Sequence, residues 1–276
     1  MRLGNIVDKI GYTHRSGLLD SSDRWRTKET EIFSNHMAIK VSAEKLLETG
    51  AHFGHQARRW NPKMEEYIYG AQDGVHVFDL IKTKQALEEA LSFLTQASKE
   101  EKVILFVGCK KQARDKTKEV AEATNSSYVV ERWLGGTLSN FDQIKKSINK
   151  MDDLKEKMAL GEFAKYTKKE RLLIDREIAR LERFFGGMKG LSKVPDLLVV
   201  VDTHKETGAV KEAKMVGIKI VGIVDSNSDP SVVDYPIPMN DDATKAIEYV
   251  LELMKEAVLE GKSHFAKASR EKETKK

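Results

Sequence analysis

The sequence holds a single cysteine, Cys109, among 276 residues. One thiol excludes an intrachain disulfide and a thiolate zinc site, and it suits a reducing compartment. No run approaches the roughly 18 apolar residues that a membrane span requires, and the N-terminus lacks the apolar stretch of a secretory signal. Residues 1–36 carry Asp8, Asp20, Asp23, Glu29 and Glu31, an acidic content foreign to mitochondrial transit peptides. These absences point to a soluble intracellular protein. Excess charge of one sign is also scarce, since 47 Lys and Arg stand against 43 Asp and Glu, a net of +4. A nucleic-acid binder of this composition needs its basic groups gathered into local patches.

What is present is a regular change of period. The length suits one large domain, or a domain with an insertion. Residues 1–36 read as a polar extension, with Met37 as the true initiator or else the whole stretch as a disordered arm. Ser42 is a plausible N-cap for a short helix through Leu46 and Leu47. Ala86, Leu87, Ala90, Leu91 and Leu94 follow helical spacing within Lys82–Ala97. Val103–Val107, Tyr128–Val130, Leu197–Val201 and Ile218–Val224 are short apolar runs of the kind found in strands buried on both faces. Helical patterns at Lys111–Ala123, Lys205–Met215 and Asp242–Leu259 separate or follow them. Strands alternating with helices imply an α/β domain with a mostly parallel sheet, over 37–137 and 190–261.

Residues 138–189 have a different texture. Phe141, Ile144, Ile148, Met151 and Met158 keep a/d spacing, with Lys155 in the remaining slot, and Ile174, Ile178, Leu181 and Phe185 repeat it after a linker near Gly161. This predicts an antiparallel coiled-coil α-hairpin inserted into the sheet domain and projecting from it. Gly186, Gly187 and Gly190 mark where the chain returns. Residues 262–276 carry Lys262, Lys267, Arg270, Lys272, Lys275 and Lys276 against Glu271 and Glu273, and read as a basic disordered tail.

Three segments invite chemistry. The first is His52-Phe-Gly-His-Gln-Ala-Arg-Arg-Trp-Asn-Pro-Lys63. Arg58, Arg59 and Lys63 offer charge to phosphates, while Trp60, Tyr67, Tyr69, His52 and His55 offer flat faces to bases, on what reads as an irregular exposed connection. His52 and His55 stand three apart with no thiolate or carboxylate near them in sequence, so the pair reads as structural or RNA-facing before metal-binding. The second segment is Glu131-Arg132-Trp133-Leu134-Gly135-Gly136-Thr137, just after a strand, where parallel sheets present ligand loops. Its diglycine permits close backbone approach, or more simply a tight turn. The third is Phe106-Val-Gly-Cys-Lys-Lys-Gln112. It lacks both a Walker loop and a three-glycine fingerprint, but Lys110 and Lys111 beside a helix start suit a phosphate, including one of an RNA backbone. Cys109 reads as a small buried residue.

Asp202, Asp225 and Asp229 lie at or after the ends of two strands. They are candidate oxygen ligands for Mg²⁺, with helix capping or turn formation as the alternative. No other cofactor is expected. The sequence contains no Gly-x-Ser-x-Gly elbow and no His-Glu-x-x-His helix, so nothing in it suggests an enzyme.

Taken together, Gly50-Ala-His-Phe-Gly-His-Gln56, Arg59-Trp-Asn-Pro-Lys-Met64, Arg132-Trp-Leu-Gly-Gly136, Gly186-Gly-Met-Lys189, Ile223-Val-Asp-Ser-Asn-Ser-Asp-Pro230 and Pro238-Met-Asn-Asp-Asp242 resemble the bacterial-type ribosomal protein S2 family of the small subunit. The resemblance covers about Val41 to Gly261. It implies a flavodoxin-like (Rossmann-like) parallel sheet carrying the coiled-coil hairpin. It also implies a late-joining, non-catalytic constituent of the cytoplasmic ribosome, on the solvent side between head and body. Its partners would be 16S rRNA, neighbouring small-subunit proteins and, in many bacteria, the mRNA-binding ribosomal protein S1. Carried over by position, the RNA-facing candidates are His52, His55, Arg58, Arg59, Trp60, Lys63, Arg132 and Trp133, to which residue chemistry adds Lys110 and Lys111. Family members begin close to the position of Met37, which leaves residues 1–36 surplus. Two other classes compete: a nucleotide- or phosphate-binding enzyme or sensor using Lys110, Lys111, Asp202 and Asp225, and a protein-interaction module acting through the hairpin.

Overall fold

The computed structural model describes residues 39–273, with side chains through Phe265. The expectations for residues 1–36 and for Met37 lie outside the described residues. Ser42 caps the first helix, α1 (Ala43–Glu48), its hydroxyl accepting from the Lys45 N–H at 3.2 Å. Strands β1 (Phe53–Gln56), β2 (Ile68–Gln72) and β3 (Val75–Phe78) follow as an antiparallel sheet in the order β1-β3-β2. The basic-aromatic segment is therefore more ordered than the irregular connection expected of it. Between β1 and β2 the chain makes two 3₁₀ turns, Ala57–Arg59 and Pro62–Tyr67. Pro62 starts the second, where its missing N–H is no loss.

The main sheet is built from β4 (Ile104–Val107), β5 (Ser127–Val129), β6 (Leu197–Val201), β7 (Lys219–Val224) and β8 (Tyr235–Pro238). The order is β5-β4-β6-β7-β8 and every neighbouring pair is parallel. Numbered within this sheet alone, that is 2-1-3-4-5, the doubly wound order of flavodoxin-like folds. The continuous apolar runs are explained by burial on both sides. Ile104 and Phe106 join one core with Leu197, Val199 and Val201, while Leu105 and Val107 join a second with Leu198 and Val200. Successive strand residues point to opposite faces, so a strand covered on both has no polar position to spare.

The first face is covered by α2 (Leu80–Lys99), α3 (Arg114–Ala123) and α7 (Thr244–Glu273), through Leu87, Leu91, Val120, Ile247, Val250 and Met254. The second is covered by α6 (Thr207–Val216) and by the base of the helix pair α4 (Phe141–Ala159) and α5 (Lys168–Phe185). Strand β8 escaped the sequence reading because Pro236 and Pro238 argue against a strand. It pairs only with β7 at the sheet edge, where a proline costs no ladder hydrogen bond. Helix α7 continues to Glu273, past Leu259 and into the stretch expected to be a disordered tail.

Helices α4 and α5 pack on each other, with Lys150 Nζ 3.0 Å from Glu177 Oε1 and Lys155 paired to Glu182. Their buried residues are concentrated at the base: Phe141, Ile144, Ile148 and Met151 on one helix, Leu181 and Phe185 on the other. Met158, expected in the seam, is 45% exposed. A capping box of Thr167 and Glu170 starts α5, satisfying two otherwise orphan backbone donors.

The pair is seated by close approach at its return point. In the 3₁₀ turn Gly186–Met188, a Cβ on Gly187 would run into the carbonyl and ring of Tyr128 in β5. Backbone there cannot yield without disturbing the sheet. Gly187→Ala should therefore lower stability by about 1–3 kcal/mol, the usual cost of overpacking, as read from the urea unfolding midpoint. A loss below roughly 0.5 kcal/mol, the scale of a neutral surface change, would show that the turn slides freely.

Candidate nucleic-acid interface

The segment from His52 to Lys63 is tied to the loop after β7. The His55 N–H donates to Ser226 Oγ at 2.7 Å and the Asn61 N–H to the Ser226 carbonyl at 2.7 Å. Asn61 in turn caps the second 3₁₀ turn through the Lys63 N–H. Lys63 Nζ lies 2.6 Å from Asp229 Oδ2 and donates to Ser231 Oγ at 3.0 Å. Trp60 is half-buried, with its ring 5.0 Å from that of His76. The ring of His52 rests against Phe53 at 4.0 Å, and burial pushes its imidazole pKa down, opposed by a backbone hydrogen bond. Arg58 and Arg59 point outward. Arg58 Nε donates to Gln56 Oε1 at 3.0 Å, and neither arginine pairs with a described acid.

The loop after β5 owes its shape to a residue that sequence reasoning missed. Glu212, on α6, accepts from Trp133 Nε1 at 3.2 Å and from the backbone N–H groups of Gly136, Leu138 and Ser139 at 2.8, 2.9 and 3.2 Å. Gly136 takes φ +91°, so the diglycine is a turn, as its residue types favoured. Trp133 packs into the second core beside Leu134. Glu131 turns back to Arg114 at 3.1 Å, while Arg132 is exposed and unpaired among the described residues. Nothing local marks Glu212, which looks like any acid on an amphipathic helix.

Lys110 does not face solvent. Its ammonium lies 2.6 Å from Asp241 Oδ1, 2.6 Å from Asp242 Oδ1 and 3.4 Å from Asp202 Oδ2, joining the loops after β4, β6 and β8. Burial works against its charge, but these carboxylates raise its pKa well above the ordinary lysine range. Asp241 is held above the ordinary carboxylate range by burial and by the charges of Asp225 and Asp202, which outweigh the pull of Lys110. This leaves Lys110 no free valence for a nucleotide phosphate. Lys111 is exposed. Cys109 is buried, and desolvation with the neighbouring Glu206 pushes its thiol up to about 12, which makes it inert.

The aspartates expected as magnesium ligands, Asp202, Asp225 and Asp229, each have partners within the protein. Asp229 caps the turn Pro230–Val232 and holds Lys63. Asp225 accepts from the Ser226 N–H and Oγ and from the Asp241 N–H, and Asp202 accepts from the Lys205 N–H. His55 does meet carboxylates, contrary to its sequence neighbourhood: Nδ1 is 3.0 Å from Asp225 Oδ1 and Nε2 is 3.7 Å from Asp242 Oδ2. Sequence spacing hid this, because 170 residues separate His55 from Asp225.

Burial opposes ionisation of Glu212, but its backbone and Trp133 hydrogen bonds win and hold its carboxyl below the ordinary value of 4.5. A depressed carboxyl contributes stability that is present above pH 4.5 and lost as pH falls through its lower folded value. Glu212→Ala should therefore cost about 2–3 kcal/mol at pH 7, the scale of charge-assisted hydrogen bonds with stranded donors. The gap between the two proteins should shrink below pH 4.5 in parallel denaturant titrations. A gap that stays constant across that range would mean the carboxylate charge does not hold the loop.

Comparison with known proteins gives the family of the chain. Residues 46–261 match the family Ribosomal protein S2. The small ribosomal subunit protein uS2 of Roseiflexus sp. (strain RS-1) is 47% identical over 223 residues, covering 81% of this chain and 85% of the relative. That of Petrotoga mobilis is 47% identical over 222 residues, 80% of this chain and 77% of the relative. That of Helicobacter hepaticus is 45% identical over 223 residues, 81% and 84%. The chain belongs to the ribosomal protein S2 family.

Proposed function

We propose that this protein binds 16S rRNA as a structural, non-catalytic constituent of the small ribosomal subunit in the cytoplasm, and that Arg58, Arg59, Lys111 and Arg132 make its phosphate contacts. Family membership supports the ribosomal role, since the relatives are named small ribosomal subunit proteins. The observation that carries the residue choice is the division of the basic groups. Lys63 and Lys110 are neutralised by aspartates, whereas these four are exposed and form no ion pair with a described residue. Unpaired exposed cations are the groups that release counterions from RNA. Trp60 and Trp133 act behind them as packing residues, and His55 acts within the polar cluster. Helices α4 and α5 act as a coiled-coil hairpin that meets neighbouring small-subunit proteins, with S1 among the partners in organisms that have it.

Sedimentation of a lysate through a sucrose gradient tests the assignment. The protein should travel with the small subunit at low salt and leave it at high salt, and a protein confined to the top of the gradient while ribosomes stay intact would overturn it. Replacing Arg58 and Arg59 by Ala should weaken association and flatten the log–log salt dependence by roughly 1 to 2. The same change with an unaltered slope would remove these residues from the phosphate contacts.

A further inference from the structure

The far end of the helix pair carries apolar surface that the fold does not use. Helix α4 ends at Ala159, the 3₁₀ turn Glu162–Lys165 crosses over, and α5 begins at Lys168. Between them lies a half-open cavity of about 340 Å³, lined by Met158, Phe163, Ala164, Arg171, Ile174 and Asp175. The same tip exposes Met158 at 45%, Leu160 at 69%, Leu172 at 49% and Leu173 at 54%. Positions one and two before Ile174 point away from the seam, so α4 cannot cover Leu172 and Leu173. Apolar surface gathered in one place marks an interaction site, whereas single scattered residues do not.

The rim of the cavity is positive. Lys165, Lys168, Lys169, Arg171 and Arg176 are exposed and form no ion pair with a described residue. The acids of the same stretch are Glu162, Glu170 and Asp175, and Glu170 is occupied by the capping box with Thr167. Cations alone suit RNA as well as protein, so the apolar part decides between them. Surfaces that read unpaired bases offer flat rings for stacking, whereas this tip offers aliphatic chains. Its two rings, Phe163 and Tyr166, rest on each other at 5.5 Å. An aliphatic groove with a cationic rim fits an amphipathic helix, whose apolar residues enter at i, i+3, i+4 and i+7 while its acids meet the rim.

We propose that the tip of α4 and α5 is a docking site for an acidic, amphipathic helical segment of another small-subunit protein. Met158, Phe163 and Ile174 receive the apolar side chains of the partner. Arg171 and the lysines at the start of α5 meet its carboxylates. This deepens the reading of the helix pair as a contact to neighbouring proteins and rests on it, and it does not involve the phosphate contacts of Arg58 and Arg59.

The test places a photoreactive phenylalanine analogue at Leu160 of the full chain and maps its crosslinks in purified small subunits. The crosslink should fall on a protein segment with acids in excess and apolar residues at helical spacing. Met158→Glu with Arg171→Glu, both at exposed positions, should lower the yield about 10-fold or more, the effect of losing interface anchors. The doubly altered protein should still sediment with the subunit. Crosslinking to rRNA, no crosslink in intact subunits, or a yield indifferent to the double change would overturn the docking site. Absence of the unaltered protein from the subunit would instead overturn the ribosomal reading, and this proposal with it. A second measurement needs no ribosome: a synthetic helical peptide with leucines at those spacings and glutamate flanks should bind the purified chain. Its counterpart with lysine flanks should bind about 10-fold more weakly, and equal binding of the two would also overturn the proposal.

Discussion

The ammonium of Lys110 stands where three strand ends would otherwise repel one another. Asp202 follows β6, Asp241 and Asp242 follow β8, and all three converge on Lys110 within the loop after β4. A parallel sheet brings the loops at its C-terminal edge together whether or not their charges agree. Here the agreement comes from one lysine, and loss of a partner in a buried ion pair leaves an uncompensated charge at a cost of about 3–5 kcal/mol. Asp202 takes φ +66° at this point, an uncommon conformation for a residue other than glycine. That backbone is held by the Lys205 N–H on one carboxylate oxygen and by Lys110 on the other.

The same edge anchors the segment richest in basic and aromatic residues. Ser226 holds β1 and Asn61, the cap of the second 3₁₀ turn, and Asp229 holds Lys63. The result is a rigid base from which Arg58 and Arg59 project. In the loop after β5, which carries Arg132, Glu212 plays the corresponding part. In both places an acid within the fold orders a loop whose cations then face outward. Internal pairing on this scale explains how a chain with a net charge of only +4 keeps Arg58, Arg59 and Arg132 exposed and without an acidic partner among the described residues.

Much of the architecture was legible from periods. The apolar runs at Ile104–Val107 and Leu197–Val201 announced two-sided burial, and Ser42 announced a helix cap. Strand β8 was not legible, because its prolines obey a rule for central strands and the strand lies at an edge. The antiparallel β1–β3 sheet was hidden by length, since strands of four or five residues leave little periodicity to detect. Along α4 and α5 the heptad spacing marked the helices, but it did not foretell that burial fades toward Met158. Exposure there depends on how far the sheet reaches beneath the pair.

The sequence by itself determined the α/β class, the sites of the main strands and helices, the inert setting of Cys109 and, through its motifs, the family. These follow from periodicity and local residue order, which are properties of neighbouring positions. Only the tertiary structure decided which basic residues are free and which are neutralised, and that His55 belongs to an acidic cluster. Lys110 and Asp241 are 131 residues apart, and Lys63 and Asp229 are 166. Ion pairing depends on distance in space, and at such separations that distance is set by sheet order and loop packing.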